Sequence, residues 1–316
     1  MKPPIGLSSA TLLLSLASGR AGPPPRRRRS NETGRPLARR TFPPYLASCE
    51  STGGPMGVVS SSDIRPDQCQ VLRHFSKLNF DEVYDLVRFW TMQTRGRLEI
   101  FYDAIGHITH DAIPGAIVEC GVWKGGATMA MMLSNIRHNV DREFWLYDTF
   151  DGVPEPTKRD GKEVQDIWEA ARRGEDKKRE KTRRVDEGKW CYGPQDVVRN
   201  NLRYTQYPED KIHMVKGKVE ETLPTGPLPD KIAILILDTD LYLSTKVILE
   251  VLYERLQPGG LLVVDDFYTW PGPRLATYEF FEKIVDPKGW LETLRCPRLT
   301  KYFFCWKWHP KYAGQA

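Results

Sequence analysis

Apolar residues recur along this chain in two rhythms. At Phe80, Val83, Leu86, Val87 and Trp90 the spacing is helical, which predicts a helix over 80–94. Asp81 and Glu82 stand at its start, where the helix dipole favours acids. A second helix is predicted over 98–109, and Pro114-Gly115 then breaks the chain. Beyond that point short apolar runs alternate with helical stretches. Strands are predicted at 116–120, 143–147, 211–215, 231–237, 261–264 and 301–306, with helices at 125–139, 240–256 and 276–284. The run Lys231 to Leu237 (KIAILIL) is almost continuously apolar, as a central parallel strand covered on both faces must be. Pro258-Gly259-Gly260 reads as the turn into the fifth strand. Strand and helix in alternation imply an α/β fold with a mostly parallel sheet and right-handed crossovers.

Two stretches break the rhythm. Residues 155–193 are dominated by charge, with Ile167, Trp168 and Ala171 able to face one side of a short helix. Such an insertion is either a solvated excursion or a lid, because insertions at the carboxyl ends of strands face the ligand crevice. Residues 1–65 are rich in Pro, Ser, Gly and Arg and are expected to form an extension, leaving one domain over 66–310. The apolar run from Thr11 to Ala17 is too short to span a bilayer, which needs ~20 residues. It leaves a disordered tail, a signal segment and an organelle transit peptide as alternatives. Asn31-Glu32-Thr33 is a glycosylation sequon that matters only in a secreted chain.

Charge sharpens this division. The 316 residues carry a net +5, but nine Lys and Arg and a single acid fall within residues 1–40. The remainder therefore has three more acids than bases, which speaks against a nucleic-acid partner for the domain. None of the six cysteines forms a CxxC pair, so a zinc site by spacing is not expected. Cys120 and Cys305 fall in predicted strands, where a free thiol acts as a small apolar group. A reducing, cytoplasmic setting fits these features, with an N-terminal targeting peptide as the alternative.

Chemistry gathers at the strand ends. Glu119-Cys120-Gly121-Val122-Trp123-Lys124-Gly125-Gly126-Ala127 joins the first strand to its helix. Glycine lets backbone turn tightly and approach a ligand. The segment lacks the GxGxxG spacing of dinucleotide sites. A pyrophosphate would be repelled by Glu119, whereas a zwitterionic amino acid beside a sulfonium tolerates it, which favours S-adenosylmethionine (SAM) over NAD. Asp148 ends the second strand, where an acid can accept both ribose hydroxyls; an Asx-turn or helix cap is the plainer alternative. Asp238 and Asp240 close the fourth strand, two apart and so able to face one pocket, and Asp265-Asp266 close the fifth. Four neighbouring carboxylates repel one another unless a cation joins them. Oxygen ligands favour Mg²⁺, with Mn²⁺ or Ca²⁺ as alternatives, although Asp240 could instead cap the following helix. A metal would lower a hydroxyl's pKa and position it, and a free carboxylate would take its proton.

At these residues the chain resembles the macrocin O-methyltransferase (TylF/MycF-type) family. The matching words are IPGAIVECGVWKGGATMAMM, LYDTFDGVPEP, VKGKVEETLP, LILDTDLYLSTKVILEVLYERLQPGGLLVVDDF and LATYEFF, spread from about Phe80 to Trp306. The resemblance implies a Rossmann-like class I methyltransferase with a seven-stranded sheet in the order 3-2-1-4-5-7-6, its last strand antiparallel. It implies SAM and Mg²⁺, a small hydroxylated substrate such as a sugar, and an oligomer. It places SAM along Glu119, Gly121, Val122, Trp123, Gly125, Ala127 and Asp238. Within that set Glu119, Gly121 and Gly125 would hold the methionine part, with Asp148 at the ribose and Lys218-Val219 near the adenine. Asp238, Asp265 and Asp266 would be metal ligands and Asp240 the general base. The chain departs from the family in having LYDTFDGVPEP for the usual FDSFEGLPEP, Ala127 where a hydroxyl residue is common, and the extension and charged insertion. An NAD-dependent oxidoreductase and a non-catalytic binding protein are the rival readings.

Overall fold

The computed structural model describes residues 75–175, 185–283 and 303–307. The expectations for residues 1–65, for the start of order near Pro66 and for residues 176–184 of the insertion lie outside that set. So does everything after Lys307, including the expected end of the domain at 310.

Parallel strands dominate, with the central ones buried on both faces and the edge strand Ile212–Lys216 only half-buried. Strands β1 (Ala116–Cys120), β2 (Phe144–Asp148), β5 (Ile212–Lys216), β6 (Ile232–Leu237) and β7 (Leu256–Val264) pair in parallel in the order β5-β2-β1-β6-β7. Strand β8 (Phe303–Trp306) pairs antiparallel with β7 at the edge. This is the expected arrangement, and six of the seven expected strands stand in the sheet among the described residues. A further strand between 284 and 302 would lie outside them.

Side chains alternate between the two faces. Ile117, Phe144, Leu146, Ile234, Ile236, Leu261 and Val263 face one core, packed by helices α1 (Phe80–Val87), α2 (Arg95–His110) and α3 (Gly126–Arg137). Val118, Cys120, Tyr147, Leu235, Leu237, Leu262 and Val264 face the other, with Ile248, Leu249 and Leu252 of α7 (Tyr242–Leu252) and Phe280 of α8 (Pro271–Lys283). All six β6 residues are buried. Burying each Ile or Leu side chain among them contributes about 1.5–3 kcal/mol. Cys120 and Cys305 are buried, as their strand positions led one to expect.

Several boundaries moved. Helix α1 begins with a capping box, Asn79 accepting from the Glu82 amide (3.1 Å) and Glu82 from the Asn79 amide (2.9 Å). It stops at Val87 instead of reaching Thr94, and in the stretch beyond it the Trp90 carbonyl accepts from the Gly126 amide (2.8 Å). The predicted turn at Pro258-Gly259-Gly260 is instead an irregularity inside β7: pairing with β6 jumps from Ile232–Leu256 to Ile234–Leu261, and Gly259 and Gly260 exchange hydrogen bonds with Lys307.

The charged insertion contains helix α4 (Lys162–Arg172) and a hairpin of β3 (Val185–Asp186) and β4 (Lys189–Trp190). Val164, Ile167, Ala171 and Trp190 form a small third core with Leu241, next to Val153, Trp168, Cys191 and Trp270. Asp160 is buried and accepts from the Tyr242 amide (2.5 Å) and from Thr157 (amide 2.7 Å, Oγ1 2.8 Å), which fastens the start of the insertion to the head of α7. Helix α5 (Gln195–Arg203) and helix α6 (Val219–Thr225) complete the described helices that bear on the site.

Candidate active site

A cleft of about 410 Å³ opens at the carboxyl ends of β1, β2, β6 and β7. The strand order reverses between β1 and β6, and open α/β sheets bind ligands at that reversal. Backbone bonds carry the sheet into the site: the Gly121 amide donates to Tyr147, that of Asp238 to Cys120, and that of Asp265 to Leu237, each at 2.8 Å. The residues expected to act on a ligand are thereby set side by side.

Glu119, Gly121, Val122, Trp123, Ala127, Asp148, Lys218, Val219, Asp238, Asp240, Asp265 and Asp266 all line this cleft. Gly125 does not. It caps α3 with φ +86°, and a Cβ there would meet Leu202 and Val198. Gly121 lines the cleft, yet its necessity is structural: at φ +88° a Cβ would stand 1.9 Å from the Asp238 carbonyl oxygen. A side chain at Gly121 would thus collide with backbone, and one at Gly125 would crowd the side chains of Val198 and Leu202.

Glu119 is buried and accepts a hydrogen bond from Thr128 Oγ1, so the hydroxyl absent at Ala127 is supplied one residue later. Burial raises its pKa to about 8 against the Thr128 bond. Asp148 Oδ2 accepts from the amides of Val122 (2.6 Å) and Trp123 (3.2 Å), and Oδ1 from that of Phe150 (2.7 Å). The bond to Phe150, two residues on, is the Asx-turn alternative realised. Burial nevertheless raises the Asp148 pKa over these three amides. Trp123 Nε1 and Thr239 Oγ1 are buried in the cleft lining without a protein partner, as groups awaiting a ligand are.

Carboxylate oxygens of Asp238, Asp265 and Asp266 lie within 4.8 Å of one another. All three have pKa values raised by burial, with mutual repulsion adding to it at Asp238 and Asp266. Asp240 is not a helix cap; Leu241 holds that position. Asp240 instead adopts φ +62° and accepts from Trp270 Nε1 at 2.9 Å. Non-glycine residues in that conformation are costly and concentrate at functional sites.

Three participants escaped the sequence reading. Gln93 Nε2 donates to Asp238 Oδ2 at 2.6 Å, Arg97 pairs with Asp265, and Trp270 holds Asp240. A signal for Arg97 existed. Two arginines occupy the first turn of α2 and no acid does, against the preference of the helix dipole. Gln93 carried no such mark.

A sheet in this order, with a ligand cleft at its reversal and an acid closing each of β2, β6 and β7, is the class I methyltransferase fold. Within that class the chain belongs to the macrocin O-methyltransferase (TylF) family, whose model matches residues 73–288. It is therefore an enzyme of the O-methyltransferase class, which removes the oxidoreductase alternative. It is 32% identical over 213 residues to demethyldecarbamoylnovobiocin O-methyltransferase of Streptomyces niveus, spanning 64% of this chain and 74% of that protein. It is 30% identical over 194 residues to mycinamicin III 3''-O-methyltransferase of Micromonospora griseorubida, spanning 61% and 70%. The solved structure of the O-methyltransferase NovP superposes with a TM-score of 0.56 at 25% identity, covering 76% of this chain and 99% of that one. No helix among the described residues is long and apolar enough to cross a membrane.

Proposed function

We propose that this protein transfers a methyl group from SAM to a hydroxyl of a small molecule, a sugar or other natural product, with Mg²⁺ held by Asp238, Asp265 and Asp266. The observation that carries the reading is the convergence of those three carboxylates at neighbouring strand ends, beside a cleft that also contains Glu119 and Asp148. The names of the relatives support the acceptor class, since they describe O-methylation of mycinamicin III and of demethyldecarbamoylnovobiocin.

The donor set fits a hard divalent ion. It consists of oxygen alone, it is buried at Asp265 and half-buried at Asp238 and Asp266, and its members repel one another without a cation. When bound, the ion would polarise the acceptor hydroxyl and lower its pKa. The lining fits SAM, which when bound would supply an electrophilic methyl group. Glu119 would accept from the amino end of the donor, Asp148 from its ribose, and Lys218-Val219 would flank its base. Asp240, oriented by Trp270, would take the hydroxyl proton as the new C–O bond forms and the C–S bond breaks. Trp90, Trp190 and Trp270 line the same cleft and would exclude water from the reacting oxygen.

The test pairs labelled SAM with a panel of hydroxylated sugars and glycosides, in Mg²⁺ and in EDTA. Turnover in Mg²⁺ that falls at least ~100-fold in EDTA and in Asp238→Ala is the expected result. Equal turnover in EDTA would remove the metal from the reading. Binding of SAM by calorimetry without methyl transfer to any acceptor would instead favour a non-catalytic binding protein.

A further inference from the structure

The acids at the ends of β6 and β7 are gripped by a segment that belongs to neither strand. Arg97, in the first turn of α2, donates through Nη1 to Asp265 Oδ1 and at 2.6 Å to Gln93 Oε1. Gln93 passes the contact on, its Nε2 reaching Asp238 Oδ2 at 2.6 Å. One guanidinium thus ties both strand ends together. The Arg97 and Asp265 side chains are only 11% and 7% exposed. A buried cation in a first helical turn faces both desolvation and the positive end of the helix dipole, so it belongs there only against concentrated negative charge. That charge is present: Asp238, Asp240, Asp265 and Asp266 line one cleft. The segment carrying Gln93 is itself cleft wall, from Trp90 to Thr94.

We propose that Arg97 is a positioning residue, the built-in counter-ion of the carboxylate cluster, with Gln93 as its spacer. It keeps the acids assembled, and the 90–97 wall fixed to them, when no divalent ion is bound. The assignment concerns the ion-free enzyme and does not rest on the identity of the ion.

A double-mutant cycle on the full chain in EDTA tests it. Arg97→Met is expected to lower Tm by about 5–10 °C, and Arg97→Lys, which keeps the charge, by clearly less. Adding Asp265→Asn to Arg97→Met should recover most of the loss, since the stranded charge is gone. Losses that simply add in the double variant would make Arg97 a packing residue and overturn the proposal. Should Arg97→Met yield no folded protein, recovery of folded protein by the double variant decides the same question. A second reading uses Mn²⁺ binding followed by electron paramagnetic resonance. With one competing cation removed, Arg97→Met is expected to bind Mn²⁺ about 10-fold more tightly than the wild type. Weaker binding would count against the counter-ion role. A wild type that binds no Mn²⁺ would defeat the metal site proposed above, while the EDTA cycle would still decide the role of Arg97.

Discussion

At the scale of single residues, Glu119 makes the sharpest claim. Its carboxyl has a pKa of about 8 in the folded chain against an ordinary 4.5, so folding takes up a proton between those values. The contribution of this site to stability is fully present below pH ~4.5 and is lost as pH rises towards 8. Glu119→Gln is therefore expected to flatten the fall of Tm between pH 5 and 8 in the ligand-free protein, read by thermal scans across that range. If Glu119 receives the amino end of SAM, it must ionise on binding. At pH 7 close to one proton should then appear in the buffer, measured by calorimetry in buffers of different ionisation heat. Heats that do not depend on the buffer would take Glu119 out of that role. Gly121 supports a second expectation at this scale. A methyl group there meets the Asp238 carbonyl in a backbone conformation that L-residues avoid. Gly121→Ala should cost upwards of about 3 kcal/mol in a denaturant titration, because backbone on both sides has nowhere to go.

At the scale of elements, the fastening of the insertion is open to test. Asp160 gathers the Tyr242 amide and both Thr157 donors in a buried position. Asp160→Ala would leave the Tyr242 amide without that partner, at a cost of about 1–3 kcal/mol. The acceptor KM is expected to rise several-fold with SAM affinity unchanged, since the insertion carries Trp190 in the cleft lining while the residues proposed to hold SAM, Glu119, Asp148 and Lys218-Val219, lie outside it. Equal damage to donor and acceptor binding would show that the insertion does not act separately. The elements also show how much the sequence disclosed. Strands β1, β2 and β6 were legible because burial on both faces forces unbroken apolar runs. The reach of β7 was not, because Pro258 and two glycines signal a turn locally and only pairing with β6 and Lys307 makes them a bulge. The end of α1 was hidden as well, since the helical spacing runs on through Trp90 while the Trp90 carbonyl accepts from a residue 36 positions onward. The four aspartates were visible as strand endings; Gln93 was not, because a contact across 145 positions leaves no local pattern, and Arg97 showed only as a base in the first turn of α2, not as the partner of Asp265 168 positions on.

At the scale of the whole molecule, the charge imbalance separates two parts of the chain. The basic excess lies in residues 1–40, while the remainder has more acids than bases. Removing residues 1–65 is expected to leave Tm within about 2 °C and methyl transfer unchanged, because that stretch is rich in Pro, Ser, Gly and Arg and lacks the apolar periodicity a core needs. A large drop in Tm on that deletion would place part of the domain's support upstream of residue 66. The two large cores on the faces of the sheet are joined through every parallel strand, so a cavity in β6 should be felt throughout. Ile236→Ala is expected to cost about 2–5 kcal/mol and to shift a single cooperative transition without splitting it, as a denaturant titration read by fluorescence and circular dichroism would reveal.

The third core has a practical corollary. The described residues of the insertion gather Val164, Ile167, Ala171 and Trp190 into a small interior and dock on the rest of the molecule at Leu241, Tyr242 and Trp270, with an Arg159–Glu279 ion pair beside them. A module built around its own interior is suited to transplanting as a cassette. Grafting the corresponding stretch of a relative onto this chain, with those three docking residues matched, is a route to a new acceptor preference that leaves the methyl-donating half untouched.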